Sequence, residues 1–300
     1  MMTQFIKAIE IWIPGDQPSE LQLVQSYSES AEFKDASQSM RFAYGDGLPG
    51  RTWAEGEPVV LSDISEPYFK RVELAEAANI RCAVSIPIFG GEFLQAVVVL
   101  FCGNESGQVG AMELWQNPDG SNTELRLVDG FYGDLERFEW VSRKLTIMRD
   151  RGLPGLAWAE NCPVVMTELH KSTAFLRAAN AAESGISNGI AIPFTYGHDH
   201  VRVLTFLSAE DSPIAQGFEI WAPDKDGGLL TFYSGYQVGE ESLAARYGDT
   251  GFEKGEGLLG RCWLSGRPAL IGDGANKDSV QLVLPVIHAG KLNWIVRLIF

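Results

Sequence analysis

Three hundred residues with 45% hydrophobic and 21% charged side chains suffice for two or three cores of roughly 100 to 150 residues each, which excludes a disordered chain. Against 39 acidic residues stand only 24 basic ones, a formal charge of -15 with no Lys/Arg cluster, so neither nucleic acid nor an anionic membrane surface is expected as a partner. The longest apolar runs, such as Ala96 to Cys102, fall far short of the roughly 20 residues of a membrane helix, and MMTQFIKAIEIW lacks a basic segment followed by an apolar one; a soluble, cytoplasmic protein is expected.

In chain order, Ala8 to Ile13 reads as a strand, Pro14 and Gly15 as a turn, and Leu21 to Tyr27 as a second, alternating strand that completes a hairpin. Gly47, Pro49 and Gly50 introduce a short helix around Arg51 to Glu55, because proline in a first turn sacrifices no hydrogen bond. A strand at Pro58 to Leu61 follows, then an amphipathic helix over Phe69 to Ala78. A closing hairpin runs from Ala83 to Ile88, turns at Gly90 and Gly91, and returns as Ala96 to Phe101. That last strand is apolar throughout and suits a central position buried on both faces.

These hundred residues are then written twice more. AIEIW ending at Trp12 recurs as AMELW at Trp115 and GFEIW at Trp221, and GDGLPGRTW ending at Trp53 recurs as DRGLPGLAW at Trp158 and GEGLLGRCW at Trp263. The paired tryptophans are 41, 43 and 42 residues apart, and six of the eight tryptophans sit on these two positions, so a triplicated unit is the organising feature. PVVLSD, PVVMTE and PALIGD follow, and then SIPI, AIPF and VLPV, each ahead of a turn and a final apolar run. The expected domains are residues 1–104, 105–210 and 211–300. The class is α+β, each unit a central antiparallel sheet with a few short helices.

The words GLPGRTWAEGEPVVLSD, YFKRVELAEAANI and SIPIFGGEFLQAVVVLF resemble a GAF domain, over roughly Ala8 to Gly103 in the first copy. The second copy keeps the frame with Leu156 in place of Arg51, and the third is weaker. The resemblance implies a five- or six-stranded sheet, a pocket between that sheet and an overlying helix, and a role in binding small molecules or in dimer contacts that are relayed to a partner. Family members cover the opposite sheet face with terminal helices, for which the links at 104–110 and 209–216 leave no room. The bare faces are therefore expected to be covered by one another, in a pseudo-threefold cluster, or by a second chain in a homo-oligomer. In the third copy Trp263 to Pro285 spans 22 residues against 34 and 35 in the others, so the pocket-covering helix is expected to be lost and the copy to be structural.

The candidate ligand-binding residues are Trp53, Asp63, Phe69, Arg71 and Ser85 in the first unit and Trp158, Glu168, Phe175 and Arg177 in the second. Each has a plainer role beside it: the tryptophans as packing, Asp63 and Glu168 as caps or turn-makers, the arginines as partners of local carboxylates. His198, Asp199 and His200 form the one metal-like string, without a third ligand in sight, and neither metal nor cofactor is expected. The four cysteines form no C-x-x-C pair and read as buried free thiols. The free methionine sulfoxide reductases resemble this fold but carry reactive cysteines, one in a G-V-C-G-like turn where this chain has Pro49, Pro154 and Leu259. Neither the N-K-F-D-E set of cyclic-nucleotide GAF domains nor the Cys-His pair of bilin attachment is present. The expectation is thus a non-catalytic sensory, regulatory or scaffold protein with no catalytic residues, a small-molecule ligand in units one and two, and an output supplied by a protein partner. The alternatives are a redox enzyme or a purely structural oligomerisation module.

Overall fold

The computed structural model describes residues 5–15, 19–103, 105, 108–196, 200–248, 250–272 and 280–300. The first unit runs β1 (Ile6–Pro14), β2 (Glu20–Ser28), α1 (Ala31–Gln38), β3 (Arg41–Ala43), α2 (Gly47–Glu55), β4 (Val59–Leu61), α3 (Val72–Ala77), β5 (Ile80–Gly90) and β6 (Phe93–Gly103). The second repeats it as β7 (Gly110–Gln116), β8 (Glu124–Phe131), α4 (Glu136–Lys144), β9 (Thr146–Met148), α5 (Gly152–Glu160), β10 (Val164–Met166), α6 (Ala178–Ser184), β11 (Ile186–Tyr196) and β12 (His200–Ala209). The third has β13 (Gly217–Pro223), β14 (Leu230–Gln237), α7 (Leu243–Tyr247), β15 (Gly251–Phe252), α8 (Gly257–Ser265), β16 (Ala269–Ile271), β17 (Gln281–His288) and β18 (Lys291–Ile299).

Each unit is its own six-stranded antiparallel sheet with one strand order, β3-β2-β1-β6-β5-β4 in the first. The final apolar strand lies at the centre, as its composition requires. The helices are short and no helix among the described residues is long and apolar enough to cross a membrane. Three details differ from the sequence reading. Helix α1 and strand β3, with their counterparts, were not expected; α2 begins four residues earlier, at Gly47; α3 begins at Val72 instead of Phe69. Between β16 and β17 lie nine residues (272–280), against 18 and 19 at the same place in the other units, and 273–279 fall outside the described residues.

The repeated G-L-P/L-G motif has a structural cause. Its first glycine takes φ +60, +61 and +57 in the three units. A Cβ on its second, Gly50, Gly155 or Gly260, would stand 2.0, 2.3 or 2.1 Å from the carbonyl oxygen of Ala43, Met148 or Glu253, so the helix can approach that backbone only as glycine.

Alternation along each first strand splits its side chains between two cores. Ile9 and Ile11, Met112 and Leu114, and Phe218 and Ile220 enter one hydrophobic cluster common to all three units, joined by Val98, Leu100, Leu204, Phe206, Val296 and Leu298 from the central strands. Ala8 and Trp12, Ala111 and Trp115, and Trp221 face separate cores beneath the helices. The sheets therefore cover one another's bare faces within one chain. The arrangement is a closed ring: β4 packs on β7 and β8, β10 on β13 and β14, and β16 on β2, while β17 touches both β5 and β11. Because no unit has a complete core alone, calorimetry should record one cooperative transition. Ile220→Ala in the third unit should lower that whole transition, at about 2–5 kcal/mol, and should not split off a third of its enthalpy.

Candidate functional site

The space beneath α3 and α6 is where the sequence places a ligand, and it begins with a glutamate. Glu10, Glu113 and Glu219 precede Trp12, Trp115 and Trp221 by two residues, so each shares the helix-covered face with its tryptophan and is buried, at 0–1% exposure. Each Glu accepts from its own indole Nε1 at 2.9–3.0 Å. A β-bulge falls immediately before the tryptophan in all three strands.

A buried carboxylate needs a cation and further donors. In the first unit Arg71 supplies them in bidentate form, Nη1 to Glu10 Oε1 at 2.6 Å and Nη2 to Oε2 at 3.0 Å. The Ser37 hydroxyl on α1 lies 2.6 Å from Oε1 and also accepts from Arg71. The guanidinium sits 4.4 Å from the Phe33 ring centroid, 5.2 Å from Phe101 and 6.0 Å from Phe69. The second unit repeats the arrangement: Arg177 holds both oxygens of Glu113, Nη2 to Oε2 at 2.8 Å, and donates to Ser142, while Tyr132 and Thr205 donate to the same carboxylate at 3.0 and 3.1 Å. Phe138, Phe175 and Trp115 surround that guanidinium at 4.6, 5.2 and 5.5 Å. In the third unit the cation comes from the sheet: Arg297, opposite Glu219 on β18, stands 3.4 Å from it, and Tyr247 donates at 2.7 Å.

The sequence-predicted residues thus separate. Arg71 and Arg177 do grip carboxylates, but these are the chain's own Glu10 and Glu113, and the guanidinium groups are 5% and 2% exposed instead of open to a ligand. Phe69 and Phe175 are buried beside them. Ser85 is buried against α2, its hydroxyl 2.7 Å from that of Thr52. Trp53 is half-buried with its ring edge-on to Tyr44 at 5.2 Å, and Trp158 packs under the Arg149 guanidinium at the same distance. Asp63 is exposed and accepts from the Ser65 amide at 2.8 Å, a turn that holds its carboxyl below the usual range. Glu168 is exposed at φ +49 and pairs with Lys171. Neither acid caps a helix, since α3 starts at Val72 and α6 at Ala178. His198 and Asp199 lie outside the described residues, among which no group of three metal-ligating side chains occurs.

The glutamates were missed by sequence reasoning. The signal was available: an acid at the same place in three predominantly apolar strands, on the face that alternation buries.

Residues 9–116 match the family model described as GAF domain. No curated protein matches the chain. Among solved structures, the GAF domain of a phosphoenolpyruvate-protein phosphotransferase from Coxiella burnetii is 25% identical over 32% of this chain and 56% of that one, with a TM-score of 0.28. The free methionine-R-sulfoxide reductase of Neisseria meningitidis, in complex with its substrate, is 19% identical over 32% and 52%, TM-score 0.27. A type II free methionine-R-sulfoxide reductase from Thermoplasma acidophilum is 11% identical over 32% and 61%, TM-score 0.26. The chain spans about half the length of the solved structures it matches.

Burial alone would push the Glu113 carboxyl up. The Arg177 charge and the hydrogen bonds from Arg177, Trp115 and Tyr132 outweigh it and leave the group below its ordinary value of 4.5. A depressed folded value means that this carboxylate's stabilisation is fully present above pH about 4.5 and is lost as pH falls through the folded value. Arg177→Met should cost about 3–5 kcal/mol in urea unfolding at pH 7 by stranding Glu113. Adding Glu113→Gln should recover part of that loss and flatten the acid limb of the stability curve.

Proposed function

We propose that this chain, whose residues 9–116 belong to the GAF domain family, is a non-catalytic regulatory or scaffold protein that acts through a protein partner. The observation that carries the reading is the filling of both helix-covered spaces by Arg71–Glu10 and Arg177–Glu113. A small molecule entering either space would have to displace a carboxylate held by four hydrogen bonds (Glu10) or five (Glu113), so those spaces serve as structural locks and the outer surface is what remains for a partner.

The rival reading is a redox enzyme like the sulfoxide reductases. All four cysteines are free and buried. Burial pushes the Cys82 thiol well above its ordinary value and Cys162 up to about 12, and Cys262 is raised for the same reason. Since the thiolate is the reactive form, these environments favour the non-catalytic reading.

With free L-methionine-R-sulfoxide and dithiothreitol, no turnover above the protein-free rate is expected, and light scattering should give a single-chain mass. Turnover that a Cys82→Ser/Cys102→Ser variant abolished would establish the enzyme instead.

A further inference from the structure

Counting back five residues from Pro87, Pro193 and Pro285 reaches Cys82, Asn188 and Val280, one position of the repeat. Cys82 and Val280 are fully buried in the core that the three units share, whereas the second unit places an amide there. A buried polar side chain costs stability unless it is bonded, and departures from a local rule are where functional sites are expected. Asn188 is 5% exposed. Its amide nitrogen donates to the Ser187 hydroxyl at 2.9 Å and lies against the Tyr236 hydroxyl of the third unit. Its carbonyl oxygen accepts no hydrogen bond among the described residues and retains accessible surface.

Asn188 lines a cavity of about 660 Å³, within the size range of small-molecule sites, between the segment after β10 in the second unit and β14 with the turn before α7 in the third. Four carboxylates line it against Lys171 and His170: Glu168 and Glu210 from the second unit, Glu240 and Glu241 from the third. Glu168 is paired with Lys171, and Glu240 with Arg246. That leaves Glu210 and Glu241, one from each unit, without an ion pair among the described residues, on a chain of charge -15 that favours cations. Among the described residues no three acids or histidines stand close enough together to hold a metal ion, so the space suits a larger, organic cation. The exposed Tyr233 adds ring surface, which attracts such a charge.

We propose that the joint between the second and third units binds a small organic cation with N–H donors, an amidinium or a primary ammonium, its charge balanced by Glu210 and Glu241 and one N–H on Asn188 Oδ1. The site is distinct from the spaces beneath α3 and α6, and the repeat places Cys82 and Val280 where the other joints would need the amide.

Benzamidine, one ring with one amidinium, tests this on the full chain by isothermal titration calorimetry. One molecule per chain should bind saturably at low salt, and more weakly as salt is raised. Benzamide keeps the ring and N–H donors without the charge, and should bind about tenfold more weakly or worse. Phenyltrimethylammonium keeps the charge without donors; it should bind more weakly than benzamidine and be indifferent to Asn188→Val. Asn188→Val, which installs the third copy's residue, should weaken benzamidine about three- to tenfold. Glu210→Gln/Glu241→Gln, at two exposed positions, should weaken it about tenfold. Both variants are to be compared at matched circular dichroism; if Asn188→Val does not fold, the double glutamine variant and the two analogues decide. Absence of saturable binding, a stoichiometry other than one, benzamide binding as tightly as benzamidine, or an unchanged affinity in either folded variant would overturn the proposal.

Discussion

A carboxylate in the middle of an apolar strand is the constraint around which each unit is built. Glu10, Glu113 and Glu219 would be prohibitive to bury alone, and each is made tolerable by the indole two residues on, by hydroxyl donors and by an arginine. The arginine's source varies while the carboxylate does not. It arrives on the segment before α3 or α6 in two units, and on the neighbouring strand as Arg297 in the third, where the chain between β16 and β17 is too short to bring it from that side. The invariant element is thus on the sheet, and the compensating one is recruited from whichever segment reaches it.

The second constraint is the other face of each sheet. With no helix among the described residues lying on it, the face carrying the odd-numbered apolar side chains of β1 needs a partner surface, and the two other units provide it. The ring closes with equivalent positions in contact but with different chemistry at each joint. Glu57 of the first unit meets Arg202 of the second at 2.7 Å. Arg267, its counterpart in the third, meets Gln95 of the first at 3.4 Å. Gln25 pairs both its amide atoms with the backbone of Leu270 at 3.2 Å, and so caps the edge strand β16. Unlike joints of this kind oppose exchange of one unit for another and favour one ordering of the three.

Much of this was legible in the residues. Tryptophans at a spacing of 41 to 43 residues announced three copies, alternation and apolar runs located the strands, and the short links at 104–110 and 209–216 announced faces in need of cover. Helices α1, α4 and α7 were not legible, because an eight-residue stretch such as AEFKDASQ is mostly polar and buries only Phe33 and Ser37, too weak a period to stand out. Of the candidate site, the residues Phe69, Arg71, Phe175 and Arg177 singled out in the sequence do lie beside one another, but the carboxylates that the arginines hold, 61 and 64 residues upstream, are joined to them only by folding.

By itself, then, the sequence determined the local and periodic features: the triplication, the strand and motif positions, and which face of each strand is apolar, since period-two alternation and glycine stereochemistry act over a few residues. The tertiary structure alone decided that the carboxylate awaiting Arg71 and Arg177 is internal and that the three bare faces meet each other. Each of these depends on which distant surfaces come together, and a hydrophobic face or a charged group specifies the kind of partner it needs without specifying where along the chain that partner lies.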